Sequence, residues 1–105
     1  MEIEFDKEYL AALYFSGKTP DKKHRYQPSI IKRYIRVIDL MRAVESTEDL
    51  YKFNSLNYEM LTGDKRGIES VRVNDQYRIE FKSTQVKSDI IVTVCNIIDL
   101  TNHYK

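Results

Sequence analysis

The stretch Leu61–Phe81, LTGDKRGIESVRVNDQYRIEF, decides the fold of this chain. Val71 and Val73 alternate with Ser70, Arg72 and Asn74, and Tyr77, Ile79 and Phe81 alternate with Gln76, Arg78, Glu80 and Lys82. A period of two marks half-buried strands, and Asn74-Asp75 between them marks a turn. A loop of Asn74 and Asp75 alone would set Val71 opposite Arg78 and scramble the two faces. A loop of Asn74 to Gln76 pairs Val73 with Tyr77 and Val71 with Ile79, giving one apolar face. The predicted hairpin therefore sets Arg72 directly opposite Arg78.

Facing like charges are destabilising by ~0.2–1 kcal/mol unless an anion or carboxylate lies between them. Two readings stand. In one, the guanidiniums splay into water or are neutralised by Glu69 or Glu80. In the other the pair is an anion site, with Lys65 and Arg66 adding two cations from a loop bracketed by Gly63 and Gly67. The glycines would let the loop backbone approach a ligand closely, and phosphate fits such a site. The loop lacks the Lys-Ser/Thr ending of a nucleotide-binding P-loop.

Upstream, Met1 to Phe5 alternates as a short edge strand, and Asp6 is the expected cap of a helix that begins at Lys7 and stops at Gly17. Lys18 to Pro28 reads as an exposed loop with a basic run, Lys22, Lys23, His24 and Arg25. From Ser29, with Pro28 in the first turn, the spacing predicts a helix of about four turns. Its expected buried stripe is Ile31, Tyr34, Ile35, Ile38 and Met41. Leu50, Tyr51 and Phe53 form a further turn or pin the connection to the core. Downstream, Asp89 to Ile98 is apolar at nearly every position and is expected to be a central strand covered on both faces, with Cys95 a buried small hydrophobe. Helices followed by strands give an α+β fold, with helices on one face of a mainly antiparallel sheet.

The chain's 105 residues suit one domain, and 42% apolar with 31% charged residues is a globular composition. No apolar run approaches the ~20 residues of a membrane span. Residues 1 to 15 carry acidic side chains instead of the basic and apolar regions of a signal peptide, and Cys95 has no partner for an internal disulfide, so the cytosol is the expected compartment. A net charge of +1 gives no overall pull toward nucleic acid, and any such role rests on local clusters. With two histidines and no Cys/His or paired-carboxylate spacing, neither a metal nor a cofactor is expected. His24 reads as a solvated loop histidine. The loop's basic run and the basic face of the second helix, Lys32, Arg33 and Arg36, are either solvated surfaces or contacts to nucleic-acid phosphates.

The pattern Leu61-x-Gly63-Asp64-x-x-Gly67-x-x-Ser70-Val71-x-Val73-Asn74-x-x-Tyr77-Arg78-Ile79-x-Phe81 resembles the central motif of the HigB toxins, the plasmid maintenance killer branch of the RelE/ParE superfamily. The ending Asn102-His103-Tyr104 is similar to that family's C-terminal histidine segment. The resemblance implies a compact RelE-like antiparallel sheet with two to three helices from the N-terminal half on one face. It also implies a type II toxin that cuts messenger RNA in the ribosomal A site and is held inactive by a helix-turn-helix antitoxin of the HigA type. By the same resemblance Arg78 is expected at the scissile phosphate, His103 as acid or base, and Tyr104 as helper or stacking surface. Arg72, Arg66 and Asn102 are then expected to bind substrate. The family's lysine before Gly63-Asp64 is Thr62 here, which leaves Lys65 or Arg66 to supply its charge. Two alternatives remain open: a ParE-like toxin that binds DNA gyrase without cutting RNA, and a non-catalytic antitoxin-binding homologue.

Overall fold

The computed structural model of the protein describes residues 1–102; the expected site residues His103 and Tyr104 lie outside them. Within the described residues, β1 (Glu2–Phe5), β2 (Glu59–Met60), β3 (Glu69–Arg72), β4 (Tyr77–Lys87) and β5 (Ile91–Asn102) form one sheet in the order β1-β5-β4-β3-β2. Two α-helices, α1 (Glu8–Ser16) and α2 (Pro28–Ala43), pack with the sheet's apolar face, and four short 3-10 turns join the elements. The longest of these turns, Thr47–Lys52, buries Leu50 fully and leaves Tyr51 exposed.

The register of the central hairpin is the one its alternation demands. Val71 pairs with Ile79 and Arg72 with Arg78, while Val73 N donates to Tyr77 O at 2.9 Å. Asn74 closes the loop because its Oδ1 accepts from Gln76 N at 2.9 Å and Tyr77 N at 2.7 Å, a side chain standing in for a backbone turn acceptor.

β4 runs on to Lys87 and pairs antiparallel with β5, whose bounds differ from the expected Asp89–Ile98 at both ends. Ile90 and Ile91 sit exposed at the hairpin tip, and the strand continues four residues past Ile98. It is an interior strand, but only one face is buried (Thr93, Cys95, Ile97 and Leu100); the other is half-covered. Phe81 lies opposite Ile97 and Glu80 opposite Asp99, so Ile98 is an extra residue, a β-bulge. The sheet is antiparallel except at β1, which runs parallel to β5 with Phe5 opposite Ile97.

Asp6 does not cap α1. Lys7 occupies the cap position without a side-chain bond, and Asp6 N instead donates to Ile97 O at 2.8 Å, extending the β1–β5 pairing by one step. Gly17 ends α1 in the left-handed conformation (φ 73°), with its N–H on Leu13 O at 3.1 Å. In α2 the buried stripe is Ile30, Tyr34, Val37, Ile38 and Met41, and the expected Ile31 and Ile35 lie half-buried at its margin. An isoleucine satisfies either phase of a helical pattern, so the sequence alone does not choose between stripes one residue apart. Both stripes contain Tyr34, Ile38 and Met41, and the Tyr34 hydroxyl donates to Leu10 O at 2.8 Å and locks α2 to α1.

Candidate functional site

Arg78 and Glu80 are two apart on β4 and therefore project from the same face, opposite to that of Ile79 and Phe81. Glu80 is only 3% exposed, although it faces away from the helices. What covers it is cationic. Arg78 places Nε 3.0 Å and Nη2 2.9 Å from Glu80 Oε2, and Lys65 places Nζ 3.1 Å from Oε1 and 2.8 Å from Oε2. One buried carboxylate thus holds two cations in fixed positions, leaving a local charge of +1. Arg78 retains 17% side-chain exposure and Lys65 46%, so both are open to a ligand approaching from outside.

The loop that brings Lys65 there is closed by its own backbone. Leu61 N donates to Ile68 O at 2.8 Å, Arg66 N to Gly63 O at 3.2 Å and Ile68 N to Lys65 O at 3.0 Å. Gly63 and Gly67 sit at φ 67° and 91°, and a Cβ on either would meet nothing within 4 Å. Positive φ is therefore what requires glycine at both positions. The tight turn sends Lys65 to Glu80 and leaves Arg66 exposed, without an ion pair among the described residues.

The facing arginines are separated by carboxylates. Arg72 turns to Asp75, three residues on in the loop, while Arg78 turns to Glu80. The sequence assigns Asp75 to the turn alone, although its spacing from Arg72 across a three-residue loop is the signal that finds the ion pair. Of the expected site residues, the fold brings Arg78 and Lys65 together and leaves Arg72 and Arg66 outside that cluster. Asn102 ends β5 opposite Tyr77, next to the Thr101–Arg78 pair; His103 and Tyr104 lie beyond the described residues.

Two further polar groups were not legible. Glu69, 5% exposed on the helix-facing side, accepts from the Tyr58 hydroxyl, from Ser83 N at 3.0 Å and from Ser83 Oγ at 2.6 Å. Burial, and next the bond to Glu69, push the Tyr58 phenol well above its ordinary value. His24, expected to be solvated, stacks on the Tyr9 ring at 3.7 Å and meets Asp21 Oδ2 through Nδ1 at 2.8 Å. That bond and the one from Lys23 N hold the Asp21 carboxyl below the usual range. Tyr9 in turn donates to Asp99 Oδ1 at 2.7 Å, so the histidine is tied through a stacked ring to β5. Among the described residues no group of three or more His, Cys, Asp or Glu is placed to hold a metal ion.

The profile of the RelE-like toxin of type II toxin–antitoxin systems, HigB, matches residues 3–95. The chain belongs to the HigB family of RelE-like toxins. It is 34% identical over 83 residues to Toxin HigB-1 of Vibrio cholerae serotype O1, covering 78% of this chain and 83% of that protein. The fold agrees. A YoeB/ParE toxin from Agrobacterium tumefaciens superposes with a TM-score of 0.56 at 17% identity, over 99% of this chain and 100% of that one. The YoeB-YefM complex from Staphylococcus aureus gives 0.52 at 19% identity, over 99% and 98%. The HigB match includes the Lys65–Arg78–Glu80 cluster and ends before Asn102 and His103.

Proposed function

We propose that this HigB-family toxin is a ribosome-dependent endoribonuclease, in which Arg78 and Lys65 receive the scissile phosphate of messenger RNA. The supporting observation is the pair of cations fixed on one buried carboxylate at an open sheet face. In the reaction the ribose 2′-oxygen attacks the adjacent phosphorus, the P–O5′ bond breaks, and a 2′,3′-cyclic phosphate and a 5′-hydroxyl result. One proton leaves the 2′-hydroxyl and one reaches the departing 5′-oxygen. Cations held in place before the reaction stabilise the dianionic phosphorane without reorganising, which is where such sites gain most. His103 is the proposed acid or base, since the unperturbed pKa of a histidine suits neutral pH, with Tyr104 as helper or stacking surface. Asn102, Arg66 and Arg72 are proposed to bind the flanking nucleotides. Lys22, Lys23 and Lys32 are proposed to meet ribosomal RNA, and a HigA-type helix-turn-helix antitoxin to hold the toxin inactive.

Induction of Arg78→Ala, with 5′-end mapping of messenger fragments, tests the assignment. A loss of about 100- to 1,000-fold in cleavage is expected for one missing donor to a developing oxyanion. Undiminished cleavage would remove Arg78 from the chemistry. One observation favours a second reading: Arg72 and Arg78 are both already satisfied by internal carboxylates, as stabilising or contact residues would be. A toxin that binds DNA gyrase without cutting RNA would then induce the DNA-damage response and leave messengers intact.

A further inference from the structure

Away from the Glu80 cluster, a cleft of about 210 Å³ opens between α2, the 3-10 turn Asn54–Leu56 and the end of β3. Its floor is aliphatic: Val37, Leu56 and Val73 are nearly fully buried, and Leu40 is half-buried. Its rim is cationic, with Arg33, Arg36 and Arg72. Arg72 is answered by Asp75. Arg33 reaches only the Val73 carbonyl, at 3.4 Å, and neither Arg33 nor Arg36 has an acidic partner among the described residues. Two exposed guanidiniums above an apolar floor form an unmatched surface in a chain whose charges otherwise nearly balance.

The geometry points to a docking site for an acidic segment of a partner protein, which seats one aliphatic side chain on the Val37–Leu56–Val73 floor and sets carboxylates against Arg33 and Arg36. The cleft is below the ~300–1,000 Å³ of small-molecule pockets but suits a single anchoring side chain. Planar guanidiniums pair with carboxylates in two-pronged fashion, and Arg at the rim of an apolar anchor pocket is a common interface arrangement. An RNA strand is the weaker match. Recognition of unpaired bases uses aromatic stacking surfaces, and among the described residues no aromatic side chain lines this cleft. The assignment does not depend on RNA cleavage, since Lys65, Arg78 and Glu80 take no part in it.

Peptide-display selection against the immobilised full-length protein, counter-selected on Arg33→Glu/Arg36→Glu, tests this. Both arginines are exposed, so circular dichroism should show the double variant folded. The expected consensus is an aliphatic residue flanked by Asp or Glu, bound at least tenfold more weakly by the double variant and by Ser55→Trp, which fills the cleft mouth without changing charge. Methyl shifts at Val37, Leu40 and Leu56 should accompany binding. No enrichment, a consensus without carboxylates, or affinity unchanged in Ser55→Trp would overturn the proposal. So would a single-stranded RNA oligonucleotide that moves the same methyls and loses affinity on charge reversal, making the cleft a phosphate track.

Discussion

Two buried carboxylates stand on neighbouring strands of one sheet and are satisfied in opposite ways. Glu80, on the open face, takes two cations; Glu69, on the helix-facing side, takes a phenol, a hydroxyl and a backbone N–H. Neutral donors pin a carboxylate and leave its negative charge inside the protein, where burial and then Glu69 push the Cys95 thiol up to about 12. Cationic partners cancel the carboxylate and present the surplus charge outward. The same side chain therefore serves as an internal fastener at one position and as a mount for surface cations at the other.

The largest effect that would test this contrast is on stability. Glu69→Ala should cost about 3 kcal/mol in urea unfolding, because it orphans the Tyr58 hydroxyl and two donors of Ser83. A cost near zero would mean that the three donors find water and that the inner carboxylate is no fastener. Next, Glu80→Gln should cost about 1–2 kcal/mol, less than the inner change since Lys65 and Arg78 can both reach solvent. Under the proposed function its signature is that messenger cleavage should fall about tenfold while affinity for RNA holds or rises, because a negative charge has gone but the cations have lost their mount. Equal loss of both would make Glu80 a substrate contact.

The thiol supplies a pH test. Below pH 9 the Cys95 thiol is protonated in the folded and unfolded chains alike, so it contributes no pH dependence. Above that, the unfolded chain releases a proton that the folded chain keeps, and stability falls until about pH 12. The Tyr26 phenol, pushed by burial to about 12, adds to the fall above pH 10. Cys95→Ala should therefore remove about 1 kcal/mol of the loss between pH 9 and 10, measured as the difference in unfolding free energy. Smallest of all, Asp75→Asn should change stability by less than about 0.5 kcal/mol, because the Arg72–Asp75 pair is exposed on both sides.

The register of β3 against β4 was legible because one wrong step would invert every side chain, and so was the Arg72–Arg78 confrontation that follows from it. How each arginine is neutralised was half legible. Glu80 was in view because it shares Arg78's face of β4, but the burial that makes it a shared anchor comes from Lys65, fifteen residues away in sequence. Long-range polar partners leave no periodic trace, so Tyr9 with Asp99 and Tyr58 with Glu69 could not be anticipated. His24 was misjudged for the same reason: a charged, proline-flanked loop looks solvated until a tyrosine from α1 is found beneath it. The exposed Ile90 and Ile91 show the reverse failure, since apolar runs report composition and not cover.

Ile98 carries a consequence out of proportion to its place in the chain. An unbroken ladder continuing from the Phe81–Ile97 pair would bring Asp99 opposite Ile79, inside the core, and Leu100 opposite Arg78, in water. The inserted residue resets the phase, so that Leu100 meets Ile79 and Thr101 meets Arg78. A charge is kept from a place where it would cost several kcal/mol, and a small hydroxyl is set beside the guanidinium in place of a leucine. The open face around Arg78 thus owes its polarity to an irregularity in the adjoining strand as much as to the residues that line it.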